Sequence, residues 1–293
     1  MIGSILTLAF LGRVVLASVT PALAALGGTL TERSGVVDLA LEAKLLFGAF
    51  AAAAIGHATG SLACGIAAGV LAGMLVAAVQ VGFALGLLAD QVIVGIGLNL
   101  LALGGTRFLM QAIYHEGANT PPSPQLADGV IADPLVWLAL AAAVIVPFAL
   151  RHTRWGLRLR AAGDRPDALA RASVSPTRTR LGAALVGGAL AGAGGAKLSL
   201  AVGGFSADMS GGRGYIALAM VILGGWRPAY AVLACVGIAI ADALDIQIQI
   251  ANATIFGVHV PSELAPLLPY VLTLVVLAIF GGRSRSPAAL GKP

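Results

Sequence analysis

The chain has 293 residues, 58% of them hydrophobic and 11% charged, and carries a net charge of +5. Soluble domains run at about 25% charged residues, so a soluble enzyme or binding domain is excluded, and no polar stretch is long enough to form a second domain with its own core. The positive charge does not point to nucleic acid, because eight of the 18 basic residues are concentrated between Arg151 and Arg180, with few aromatics among them.

A bilayer-spanning helix needs about 20 mostly apolar residues. Such segments recur at 4–27, 39–58, 61–89, 92–113, 133–150, 181–202, 214–226, 228–249 and 265–281. They predict an all-α integral membrane protein, a polytopic bundle of about eight to ten transmembrane helices forming one domain over 1–293. The first segment is too long for a signal-peptide core and is interrupted by Arg13, so it is expected to be a retained span.

The next stretch, LTERSGVVDLALEAKLLFGAF, sets Glu32, Arg33, Asp38, Glu42 and Lys44 beside apolar runs. Charge at membrane depth is costly, on the order of 2.5–3.5 kcal/mol per residue at a helix centre, and it predicts a broken or re-entrant helix near 28–50 lining a cavity. Asp38 and Glu42, four apart, are expected to share one helical face. With Asn99, inside GLNLLALGG, and Asp242 they are the candidate solute-path residues, although each also suits a structural pairing. Asp208 and Asp245 are further acids beside apolar runs. Arg107 and Lys197 are expected to snorkel toward a helix end, and Cys64 and Cys235 to be small core residues. His57, His115, His152 and His259 have no metal-ligand spacing.

GGALAGAGGAKLS superficially resembles a phosphate loop, but Lys197 follows Ala196 and precedes Leu198, so the glycine and hydroxyl of a nucleotide site are missing. Gly188 and Gly192, four apart, instead suit close helix packing. The loop 151–180 holds eight arginines against Asp164 and Asp167, and the tail 282–293 holds Arg283, Arg285 and Lys292. Both are predicted to be cytoplasmic. The stretch YHEGANTPPSPQLADGVIAD has no Lys or Arg and reads as the longest external loop, and counting spans backward puts the N-terminus outside.

In HTRWGLRLRAAGDRPDALARASVSPTRTRLG the pattern is a basic lead, a break at Gly163, then a short helix ending before Pro176. Asp164 is expected to cap that helix and Pro166 to occupy its first turn. So short and exposed a helix looks made to dock onto a partner.

That stretch resembles the ATPase-coupling loop of permease subunits in the ATP-binding cassette (ABC) importer family for branched-chain amino acids, simple sugars and nucleosides. GGTLTERSGVVDLALEAKLLFGAF, DQVIVGIGLNLLALGGTRFL and GRGYIALAMVILGGWRPAYAVLACVGIAIADAL are similar to the same family in the same order, so the resemblance covers roughly residues 25–250. Within it, the wording of ERSGVVDLALE, GLNLLALG and GRGYIALA is most similar to the shorter permease of nucleoside importers. Departures are visible: Asp38 stands where the family usually has asparagine, Ala43 and Lys44 replace a glycine and an apolar residue, and Ser173 replaces a glycine.

The resemblance implies a type II importer-like fold in a bacterial inner membrane, with Arg160, Gly163, Asp164, Pro166, Ala170 and Val174 at the ATPase-coupling surface. It implies as partners a cytosolic ABC ATPase, a second and larger permease, and an extracytoplasmic solute-binding protein or lipoprotein. ATP and magnesium would be bound by the ATPase, with no cofactor in this chain and no chemistry on the solute. The alternative from another class is an ion-coupled carrier or intramembrane enzyme using Asp38, Glu42 and Asp242 without an ATPase.

Overall fold

A computed structural model describes residues 8–127, 129–251, 254–255, 258–259 and 286–292. Its order is α1 (Leu8–Arg33), α2 (Leu41–Thr59), α3 (Leu62–Val81), α4 (Gln91–Tyr114), α5 (Pro134–His152), α6 (Arg154–Asp164), α7 (Pro166–Arg171), α8 (Pro176–Val202), α9 (Arg213–Leu223) and α10 (Pro228–Ala251), then a two-residue antiparallel pair, Thr254–Ile255 with Val258–His259. One π-helical turn, Gly82–Gly86, extends α3.

The protein is a polytopic helical membrane protein. Among the described residues, α1 to α5 and α8 are long and apolar enough to cross a bilayer, and α9 and the described apolar part of α10 are shorter. These helices coincide with eight of the nine segments expected from hydropathy. The ninth, 265–281, lies outside the described residues, as do Arg283, Arg285 and the side chain of Asp245.

Small residues bring the helices together around α8, as they must where lipid offers no hydrophobic drive for association. A Cβ on Gly73 of α3 would sit 2.2 Å from the Gly188 carbonyl, one on Gly192 2.3 Å from the Gly69 carbonyl, and one on Gly27 of α1 2.3 Å from the Gly187 carbonyl. The packing role expected of Gly188 and Gly192 is the one observed. Cys235 is buried as expected, but Cys64, in the first turn of α3, is exposed.

The two ends of the bundle differ. At one, α1 ends in Arg33, α6 and α7 fold back, and the tail 286–292 packs against them: the Ala289 N–H donates to the Gly163 carbonyl (2.8 Å) and the Gly291 N–H to the Gly35 carbonyl (3.0 Å). The basic loop and the tail thus share one end, and α1 begins at the other. There, 118–126 lies along 200–207 through Thr120–Phe205, Ser123–Gly203 and Leu126–Leu200 backbone bonds.

The basic lead is itself a helix, α6, that runs through Gly163, where the sequence suggests a break. Thr153 caps it, accepting the Gly156 N–H at 3.0 Å, and Leu159, Ala162 and Gly163, three and four apart, form its buried face. Gly163 is therefore a packing position and not a break. Asp164 is the last residue of α6 rather than the cap of α7, whose N-cap is Arg165, with no side-chain bond. Pro166 does occupy the first turn of α7.

Candidate functional site

Two non-helical stretches meet inside the bundle. The first, 34–40, separates α1 from α2 where the clustered charges predict a broken helix. The Ser34, Gly35 and Val36 N–H groups still bond α1 carbonyls, but beyond them the backbone leaves the helical ladder; an unpaired buried amide costs about 1–3 kcal/mol, so side chains from other helices serve it. Gln91 Oε1 accepts the Val37 N–H (2.8 Å), Gln80 Nε2 donates to the Val37 carbonyl (2.9 Å), and Asn99 Nδ2 donates to the Leu39 carbonyl (2.8 Å). Arg180 closes the end nearest the tail, donating through Nε to the Ser34 carbonyl (3.2 Å) and through Nη1 to the Lys292 carbonyl (2.9 Å).

The second stretch, 203–212, runs from the end of α8 to the start of α9, a helix of 11 residues and hence about 16 Å. That is half a span. Its first turn lies against the first turn of α2, where Glu42 accepts the Gly212 N–H at Oε1 (2.9 Å) and the Gly214 N–H at Oε2 (2.7 Å). A carboxylate on a helix N-terminus satisfies otherwise orphaned donors and complements the helix dipole. Only glycine fits at 214, where a Cβ would stand 2.4 Å from the Glu42 nitrogen.

Asn99 joins the two stretches to α4. Its Oδ1 accepts the Ala43 N–H in the first turn of α2 (2.9 Å), and its Nδ2 also donates to the Tyr215 hydroxyl on α9 (3.0 Å). Asp38 lies in the break before α2, so it does not share a helical face with Glu42 as the spacing suggests. Its Oδ1 takes Lys44 Nζ at 2.5 Å, both side chains fully buried, while its Oδ2 is buried without a partner. The Asp38 N–H donates to Glu32 Oε1 (3.2 Å), and Glu32 Oε2 accepts the Trp226 indole N–H (2.6 Å), tying the break to the α9–α10 turn.

Asp38, Glu42 and Asn99 are thus brought together. Asp242 is half-buried on α10 with a partner of its own, and its neighbours Ala239 and Ala243 pack on Phe10 and Val14 near the start of α1. Neither basic residue expected to snorkel does so alone. Arg107 pairs with Asp208, and the buried ammonium of Lys197 pairs with Asp133, which also caps α5. Sequence reasoning passed over Gln80, Gln91, Arg180 and Asp133. Each is a polar residue in or beside an apolar run, the one signal available, but their partners are remote in sequence.

Of the residues expected at a coupling surface, Gly163 is buried and faces Arg33, where a Cβ would be 2.2 Å from the carbonyl. Arg160, Pro166 and Val174 are half-buried, Asp164 and Ala170 exposed. Ser173, two residues past the end of α7, has φ +60°, a conformation that glycine adopts without steric cost. Among the described residues, no group of His, Cys, Asp and Glu could hold a metal ion.

Known proteins place this architecture. The family model for the branched-chain amino acid transport system / permease component matches residues 10–277. The chain is 30% identical to the nucleoside ABC transporter permease protein NupC of Lactococcus lactis subsp. cremoris, over 91% of this chain and 90% of that one. It is 31% identical to the guanosine ABC transporter permease protein NupQ of Bacillus subtilis, over 92% and 91%. It is also 31% identical, over 87% and 86%, to a protein of Haloferax volcanii provisionally named a glucose ABC transporter permease. No solved structure matches. With a family model spanning nearly its whole length and a bundle of apolar helices broken at two polar junctures, the chain belongs to the branched-chain amino acid transport system / permease component family.

Proposed function

We propose that the chain is the permease subunit of an ABC importer for nucleosides and forms the solute pathway with a second, larger permease. A cytosolic ATPase would supply ATP and magnesium, and an extracytoplasmic binding protein or lipoprotein would deliver the solute. The observation that carries this reading is the half-span α9, whose N-terminus, with Glu42, Asn99 and Tyr215, meets the break before α2. Discontinuous helices meeting at polar groups are how transporters build solute sites inside a bilayer. Relatives named for nucleosides and guanosine support the solute class.

Asp38, Glu42 and Asn99 would act at this juncture and Asp242 farther along the path. Glu42 and Asn99 bond α9 at Gly212, Gly214 and Tyr215, and these contacts would hold the juncture closed. Separation of α2 from α9 would expose the Glu42 carboxylate and the Asn99 amide, groups suited to the hydroxyls of a ribose and the polar edge of a base. The coupling surface would be α6 and α7, with Asp164, Pro166, Ala170 and Val174 toward the ATPase and Arg160 and Gly163 toward α1. Because Gly163 rests on the last residue of α1, a push on α7 would reach the break directly. The basic end would then be cytoplasmic and the start of α1 external, in a bacterial inner membrane.

The test is uptake of labelled nucleoside by cells lacking their own uptake systems and expressing the chain with its ATPase, partner permease and binding protein. Competition by unlabelled nucleosides, with none by glucose or leucine, is the expected result. Competition by glucose or leucine alone would overturn the solute class.

A further inference from the structure

At the basic end, a crevice of about 260 Å³ opens between α1, α5, α6 and the α9–α10 turn, and four guanidinium groups line it: Arg33, Arg151, Arg160 and Arg227. Trp226 and Pro147 are also in its wall. Among the described residues, none of the four arginines forms an ion pair. Arg160 Nε is buried and has no partner, while Arg160 and Arg227 both repel Arg33.

The nearby acids compensate this charge only in part. Glu32 is occupied by the Trp226 indole and the Asp38 amide. Asp164 attracts Arg33 but makes no bridge to it and lies along an adjoining groove. Arg227 rests on the Tyr230 ring, 5.7 Å from its centroid. A cluster of guanidinium groups favours an anion at its centre, and a guanidinium fork matches phosphate oxygens in pairs.

We propose that this crevice binds the phosphate-bearing headgroup of an anionic phospholipid. A soluble phosphate compound offers the same oxygens, but the crevice lies beside lipid-facing surface. Val144, Ile145 and Phe148 on α5 and Tyr230 and Leu233 on α10 remain exposed beside it, so acyl chains can lie along both helices while the headgroup meets the arginines. Basic pockets between spanning helices hold anionic lipid in this way. The bound lipid bridges the end of α1, the end of α5 and α6, and thereby steadies the elements behind the coupling surface.

Native mass spectrometry and apparent-Tm measurements on the purified, delipidated full chain test this, with phosphatidylglycerol, phosphatidylcholine and inorganic phosphate as separate probes. Phosphatidylglycerol is expected to bind and raise the Tm, and phosphatidylcholine to do neither. R151Q/R227Q, at the two exposed positions, is expected to weaken phosphatidylglycerol binding at least about tenfold, as the loss of two charge-assisted contacts implies. R154Q/R158Q, which lies outside the crevice, is expected to bind as the unmodified chain does.

Equal protection by inorganic phosphate would overturn the lipid assignment, and equal losses in both variants would reduce it to general surface charge. Displacement of the lipid by the ATPase would make the crevice a partner contact and overturn it too. If R151Q/R227Q does not fold, brominated lipid can be added to the W137F/W155F chain. Quenching of Trp226 by brominated phosphatidylglycerol and not by brominated phosphatidylcholine is expected, and equal quenching by both would refute the site.

Discussion

Replacing Lys44 by methionine while Asp38 stays should be among the most damaging single changes in the spanning region. The pair lies at 2.5 Å with both side chains fully buried, Oδ2 of Asp38 has no other partner, and the Glu32 carboxylate stands next to it through the Asp38 amide. K44M therefore leaves a desolvated carboxylate beside a second one, which costs about 3–5 kcal/mol. That corresponds to a fall of about 6–20 °C in apparent Tm. D38N should cost less, because an amide oxygen still accepts from the ammonium. D38N/K44M removes both charges and should return to within about 1 kcal/mol of the unmodified protein, since exchanging a whole buried pair for neutral groups is often nearly neutral. Thermal stability of the detergent-purified set, read as a double-mutant cycle, checks this. A K44M Tm within 2–3 °C of the unmodified chain (about 1 kcal/mol), or a double variant as unstable as the two losses added, would refute the reasoning.

Glu42→Ala removes both acceptors from the first turn of α9, which predicts a loss of about 2–4 kcal/mol on the scale of hydrogen bonds to charged groups and a fall in nucleoside uptake; uptake and Tm both unchanged would contradict the capping role. Gly163→Ala places a Cβ 2.2 Å from the Arg33 carbonyl, so α6 must shift at a cost of about 1–3 kcal/mol. ATP hydrolysis by the assembled transporter should then proceed with less uptake per ATP, whereas an unchanged ratio would separate α6 from coupling. Ser173→Gly relieves a left-handed residue at φ +60° and should leave stability unchanged or raise it by up to about 1 kcal/mol; a clear loss in the thermal melt would show that the serine side chain is needed there.

The spans were legible because hydropathy reports burial in lipid whatever the neighbours are. The break near 34–40 was legible because charges inside an apolar run need a non-helical setting. What could not be read was the pairing. Asp38 and Lys44 stand out separately as departures from the family, yet they are one unit, each tolerable at zero exposure because of the other. Glu32 reaches Trp226 across 194 positions, and Lys197 reaches Asp133 across 64, distances that no local pattern reports. The misreading of Gly163 as a break has a local cause. The arginines of 154–160 mask the apolar spacing of Leu159, Ala162 and Gly163, which would have identified a helix packed on α1.

Nucleoside accumulation in proteoliposomes tests the central claim most directly, with the chain alone set against the chain assembled with its partner permease, ATPase and binding protein. The account predicts uptake only by the assembly and only with ATP and magnesium. Accumulation by the chain alone, driven by a proton gradient, would contradict it.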